Sequence, residues 1–165
     1  MFSELRTTVP DRPEDLWRSY VEDLAGTVER HGVELVREET SLDRETIDAL
    51  VEREYSTLAA GESMALAENG SAGETSGDRA PLSLQDACEV AALRAEQPEA
   101  ETILIEACEH LLLGMSTAVL DVETLASEVA LDLEPKEIQQ KLERRAPMSF
   151  AEYVQLQYAI ANRVP

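Results

Sequence analysis

Two eight-residue stretches of this chain nearly repeat each other: Arg79-Ala80-Pro81-Leu82-Ser83-Leu84-Gln85-Asp86 and Arg145-Ala146-Pro147-Met148-Ser149-Phe150-Ala151-Glu152. Each follows a short amphipathic pattern, Thr46–Glu52 across an insertion in one case and Glu137–Glu143 directly in the other. Order repeated in this way restricts the fold to one small helical unit used twice, and the unit has the form of a helix-turn-helix. Within the octapeptide, Ser83 with Asp86 and Ser149 with Glu152 predict capping boxes that open a helix. The apolar residue ahead of each cap, Leu82 or Met148, permits a staple onto Ala87 or Tyr153, and each proline fixes a sharp entry. The motif identifies architecture and carries no chemistry of its own.

Hydrophobic periodicity fills in the rest as helices. Pro13 suits a first turn, and Leu16, Trp17, Tyr20, Val21, Leu24 and Val28 recur at helical spacing until His31-Gly32 stops them. The single tryptophan sits among aliphatics and reads as a core anchor. A short helix is expected at Val33–Glu39, then a turn, then a helix capped by Asp43 and carrying Ile47, Leu50 and Val51. Residues 61–78 are rich in glycine and serine and poor in large apolar side chains, so a disordered loop insertion is expected there. Glu99–Leu113 is the most apolar segment, with Ile103, Leu104, Ala107, Cys108, Leu111 and Leu112 expected to face inward and Gly114 to end the helix. Val122–Ala130 and Pro135–Arg144 form a second helix pair, and Ser149–Asn162 closes the chain.

The expected fold is therefore all-α. Two related helix-turn-helix-like units, residues 1–98 and 99–165, pack around the central apolar helix. A rival register aligns Leu42-Asp43-Arg44-Glu45-Thr46 with Leu120-Asp121-Val122-Glu123-Thr124. The first register is preferred because it keeps helix, turn, helix and capped helix in the same order in both units.

Charge is distributed unevenly. The chain carries a net charge of -20. Residues 61–134 hold two basic side chains against sixteen acidic, whereas residues 135–165 hold five against three, including both lysines, Lys136 and Lys141. An acidic surface with almost no lysine is similar to that of proteins from extreme halophiles, where it answers to molar salt. At 1 M salt the Debye length is only about 3 Å, so the acidic total repels an anionic partner little.

The segment Leu125-Ala126, Glu137-Ile138-Gln139-Gln140-Lys141-Leu142-Glu143, Pro147-Met148-Ser149 and Tyr153 resembles the Cro/repressor-like helix-turn-helix family, with a weaker copy over residues 33–95. The turn between Ala130 and Pro135 is about two residues longer than that pattern and lacks its glycine. The whole chain also resembles a haloarchaeal family of acidic proteins of unknown function. The first resemblance implies a DNA-binding regulator that reads double-stranded DNA with Lys136, Gln139, Gln140, Lys141, Arg144 and Arg145. Basic side chains there would neutralise phosphates and glutamines would pair with adenine edges, while Glu143 opposes them. The equivalent helix of the first unit exposes Arg44, Glu45, Asp48, Glu52 and Arg53, a net negative face, so two half-sites would require a homodimer. The alternative is a helical module that binds another protein and no longer reads DNA.

Catalysis is not expected. Glu106 and His110 share one helix, but a dinuclear carboxylate site needs such pairs on two helices. The two histidines and two cysteines form no zinc spacing, and no phosphate loop or nucleophile elbow is present. No cofactor and no metal are expected. Cys88 and Cys108 read as reduced, buried small hydrophobes. No apolar run reaches a membrane span, so a cytoplasmic protein is expected.

Overall fold

The computed structural model describes residues 10–55 and 81–164, and the expected disordered insertion at 61–78 lies outside them. The described residues fold into eight helices: α1 (Pro13–His31), α2 (Val33–Glu39), α3 (Arg44–Val51), α4 (Leu84–Ala92), α5 (Ala100–Ala118), α6 (Val122–Glu128), α7 (Pro135–Leu142) and α8 (Phe150–Ala161). The protein is all-α, with the helices packed directly on one another.

The internal repeat is realised element by element. α1 and α5 each run 19 residues, α2 and α6 seven, α3 and α7 eight. The buried positions correspond as well: Leu16, Tyr20, Val21, Leu24, Thr27 and Val28 in α1 fall where Ile103, Ala107, Cys108, Leu111, Gly114 and Met115 fall in α5. Val36 matches Leu125, and Ile47 matches Ile138, all fully buried. α3 and α7 also end alike. The amide of Arg53 donates to Leu50 and that of Glu54 to Ala49, as Arg144 donates to Lys141 and Arg145 to Gln140. Both Arg53 and Arg144 are left-handed, with φ of 56° and 59°, the usual way a helix satisfies its last carbonyls.

The two octapeptides pair with each other. Ser83 and Ser149 face one another in an isolated antiparallel bridge. Its two bonds run from the Leu84 amide to the Met148 carbonyl, 2.9 Å, and from the Phe150 amide to the Leu82 carbonyl, 2.8 Å. Each bond is the image of the other under exchange of the units, so the bridge marks an approximate dyad. α4 and α8 meet across it, and the long helices α1 and α5 each pack on both of them. The apolar α5 thus touches elements of both units, as expected, and α1 does the same from the opposite side. Among the described residues the buried hydrophobic side chains other than Ala25 join one core that draws on both halves of the chain.

Aromatic rings concentrate on the α1 side of that core. Phe150 lies 5.3 Å from Trp17, 5.8 Å from Tyr20 and 6.2 Å from Tyr153, centroid to centroid. Trp17 donates its indole N–H to the Tyr55 carbonyl, and Tyr20 donates to Gln157 at 2.7 Å. These long-range bonds tie α1 to the end of α3 and to α8, and they confirm Trp17 as a core anchor.

Three expectations require correction. Gly114 does not end its helix: α5 continues to Ala118, and Gly114 is buried within it, at the position Thr27 holds in the other unit. The helix stops instead at Val119, left-handed at φ 54° and 90% exposed. Leu104 and Leu112 do not both face inward; Leu104 is half-buried and Leu112 is 41% exposed. Finally, only the first capping box is complete. Ser83 and Asp86 bond reciprocally, whereas Ser149 accepts from the Glu152 amide while the Glu152 carboxylate turns away to Lys141.

Candidate functional site

α7 begins at Pro135, where the missing amide is harmless, and a box between Glu134 and Glu137 caps it. Ile138 and Leu142 point into the core, which turns Lys136 and Gln139 fully outward. Gln140 and Lys141 are half-buried, and Arg144 and Arg145 stand exposed just beyond the helix end.

Three of the six side chains expected to contact DNA are engaged by carboxylates of the protein, Lys141 in a largely buried contact and Gln139 and Arg145 at the surface. Lys141 Nζ lies 2.5 Å from Glu152 and 3.1 Å from the Pro147 carbonyl. Glu143 accepts from the Gln139 amide group at 2.9 Å and pairs with Arg145 at 3.2 Å. Lys136 and Arg144 make no ion pair among the described residues. The result is a surface where acids and bases alternate, with Glu134, Glu137 and Glu143 set among the cations. The first unit behaves similarly: Arg44 lies 3.6 Å from both Glu34 and Asp48, and Arg53 lies 3.4 Å from Glu29.

Arg144 borders a second feature. Leu84, Leu104, Cys108 and Met148 form the floor of a cleft of about 430 Å³ between the start of α4, the first half of α5 and the end of α7. Lys141, Arg144 and Arg145 stand at its edge. Burial raises the Cys108 thiol pKa, and the Arg144 charge acts in the opposite direction, so the guanidinium field reaches the apolar floor.

The outer face of α5 is the third feature. Ile105, Leu112 and Val119 follow one another at seven-residue spacing, which places them on one side of a helix. Ile105 is half-buried, Leu112 41% exposed, Leu113 beside it 53% exposed, and Val119 almost fully exposed. Exposed Glu109 and Ser116 sit among these side chains, Glu106 lies at their edge, and Asp121 and Glu123 lie just beyond. At the equivalent positions α1 carries Arg18, Ala25, Gly26 and Gly32, with Ala25 buried. The exposed apolar stripe therefore belongs to the second unit alone.

Among the described residues no group of three or more His, Cys, Asp and Glu side chains could hold a metal ion. His110 Nδ1 lies 2.7 Å from the Glu106 carbonyl within its own helix. Cys88 and Cys108 are both free and buried, as expected. No single described helix is long and apolar enough to cross a membrane.

Sequence reasoning missed the cleft and the stripe. A signal for the stripe was present: α5 carries more large apolar residues than one inward face can hold. The cleft depends on which side chains meet across the dyad, and no local pattern contains that.

A family model described as a family of unknown function (DUF5791) matches the chain at residues 16–75 and again at 71–163. No curated protein and no solved structure matches.

Proposed function

The chain belongs to that family of unknown function, and with no activity carried by the kinship we propose that it is a non-catalytic helical interaction module whose contact face is the outer side of α5. The observation that carries this reading is the apolar stripe of exposed Leu112, Leu113 and Val119 with half-buried Ile105, which has Glu109 among its side chains and Glu106 at its edge. Exposed apolar side chains that cluster at helical spacing are what helix-in-groove and helix-on-helix recognition uses. The acidic flanks specify the partner: an amphipathic helix of another protein with apolar residues on one face and lysine or arginine beside them.

DNA reading is the weaker alternative for the same chain. A phosphate-binding helix needs cations free to displace counterions. On α7 Lys141 is engaged with Glu152 and Arg145 with Glu143, and three carboxylates share the face. Lys136 and Arg144 alone support it.

Amide NMR spectra recorded during two titrations separate the readings. One uses fragmented genomic DNA at low and high salt, the other a leucine- and lysine-built amphipathic helical peptide. The expected result is peptide-induced shifts along α5 that Leu112→Glu/Leu113→Glu abolishes, with no salt-dependent shifts on α7. Shifts on α7 caused by DNA, with α5 unmoved by peptide, would overturn the proposal.

A further inference from the structure

The approximate dyad allows residues of the cleft to be compared with their counterparts beside α1. Leu104 corresponds to Trp17, Leu84 to Phe150, and Ala146 to Tyr55. Beside α1 those three aromatic residues meet: the rings of Trp17 and Phe150 lie tilted at 5.3 Å, and Trp17 donates to the Tyr55 carbonyl. Trp17, Phe150 and Tyr55 are all buried there. Beside α5 the same positions hold two leucines and an alanine, and the space is an open cleft of about 430 Å³. That volume falls within the roughly 300–1,000 Å³ of small-molecule sites.

The chemistry of the lining is equally specific. Leu84, Leu104, Cys108 and Met148 present an apolar floor with no charged atom to satisfy. At the edge Lys141 is neutralised by Glu152 and Arg145 by Glu143, which leaves Arg144 as the cation without an ion-pair partner among the described residues. The left-handed backbone at Arg144 sets its side chain at the mouth, beside the end of α7. A planar guanidinium is suited to hold a carboxylate in a two-point contact.

We propose that this cleft binds a small carboxylate with an aromatic or branched apolar body. The body rests on Leu84, Leu104 and Cys108 in the place that rings fill on the α1 side of the dyad, and the carboxylate pairs with Arg144. Leu104, Cys108 and Leu112 follow one another at four-residue spacing, so the cleft adjoins the exposed stripe along α5, and Arg144 and Ala146 distinguish the two sites because they belong to the cleft alone.

The test uses indole-3-acetate and neutral indole as probes, with the full chain followed by amide NMR. Indole-3-acetate is expected to shift residues around Leu84, Leu104, Cys108 and Arg144, and indole to shift the same set more weakly. Arg144→Gln should weaken indole-3-acetate about tenfold or more, the factor for one charged hydrogen bond, and leave indole unchanged. Leu104→Trp places the first unit's own side chain in the cleft and should abolish binding of both probes. Ala146→Tyr fills the mouth and serves the same purpose if the first variant does not fold. The proposal is overturned if neither probe shifts these residues, or if a folded filling variant binds as the wild type does.

Discussion

Lys141 Nζ sits 2.5 Å from a carboxylate oxygen of Glu152, with both side chains largely withdrawn from water. The contact joins the last turn of α7 to the first turn of α8 and closes over the second octapeptide, whose Pro147 carbonyl accepts a second bond from the same ammonium. It also explains the incomplete cap of α8. The carboxylate that would reach back to the Ser149 amide is held by a lysine, for which the first unit has Leu50 at the matching position.

Removing that lysine strands the carboxylate. Lys141→Met should lower the unfolding free energy by about 1–3 kcal/mol, the range for hydrogen bonds to charged groups. Lys141→Arg keeps the charge and should lose less. Urea denaturation of the two variants checks this, and an equal loss from both would show that stem packing, not the ion pair, is what matters.

Two backbone substitutions should stabilise. Gly26 lies inside α1 with nothing within 4 Å of where a Cβ would stand, so Gly26→Ala should gain about 0.5–1 kcal/mol. Val119 is a β-branched residue held left-handed in the open, and Val119→Gly should relieve roughly 1 kcal/mol of strain. Thermal melts of each should show a higher midpoint. A lower midpoint for Gly26→Ala would mean that the α1 surface is packed in solution.

The acid side of the stability profile should pass through Asp121. Its carboxyl is held below the usual range by the side chain and amide of Thr124, which it caps. A depressed folded pKa means that the cap contributes above the unfolded pKa and is lost as pH falls through the folded one. The protection of the Thr124 amide, its exchange rate relative to the intrinsic rate at each pH, should therefore fall on acidification, and Asp121→Asn should remove the pH dependence of that protection.

The alkaline side should pass through Cys88. Burial first, then the neighbouring Cys108 and Glu89, push its pKa from 9.0 to about 12. Here the folded pKa is raised, so the associated stability is complete below pH 9 and is lost as pH rises toward 12. Cys88→Ala should flatten the stability profile across that window. At pH 8 a disulfide reagent should leave Cys88 of the native protein unmodified; rapid labelling would contradict its burial.

Much of the fold was legible because it is written locally. Periodicity gave the bounds of α2 outright, and Pro13, Gly32, Asp43 and Ser83 act at the helix ends where their chemistry places them. The errors arose where tertiary geometry overrides a local rule. Gly114 has the composition of a stop, yet it lies on the buried face in mid-helix, where the other unit has buried Thr27. Leu112 fits an inward period but lies where the second unit has no covering residue. Capping chemistry at Ser149 was read from spacing alone, and spacing cannot know that Lys141 reaches Glu152 first. The candidate site was less legible. Periodicity placed Lys136 and Gln139 outward correctly, while the engagement of Gln139 and Arg145 by Glu143 and the emptiness beside Leu104 depend on contacts between elements.

The reciprocal pair of bonds across Ser83 and Ser149 has the form of a homodimer interface drawn within one chain. A half-length ancestor could close the same two bonds only by finding a second copy of itself, and its folding would weaken on dilution. Joining the halves makes that encounter intramolecular and independent of concentration. It also frees each half from having to remain identical to the other. Rings stand on one side of the dyad where leucine and alanine stand on the other, and a mutation in either half no longer appears twice.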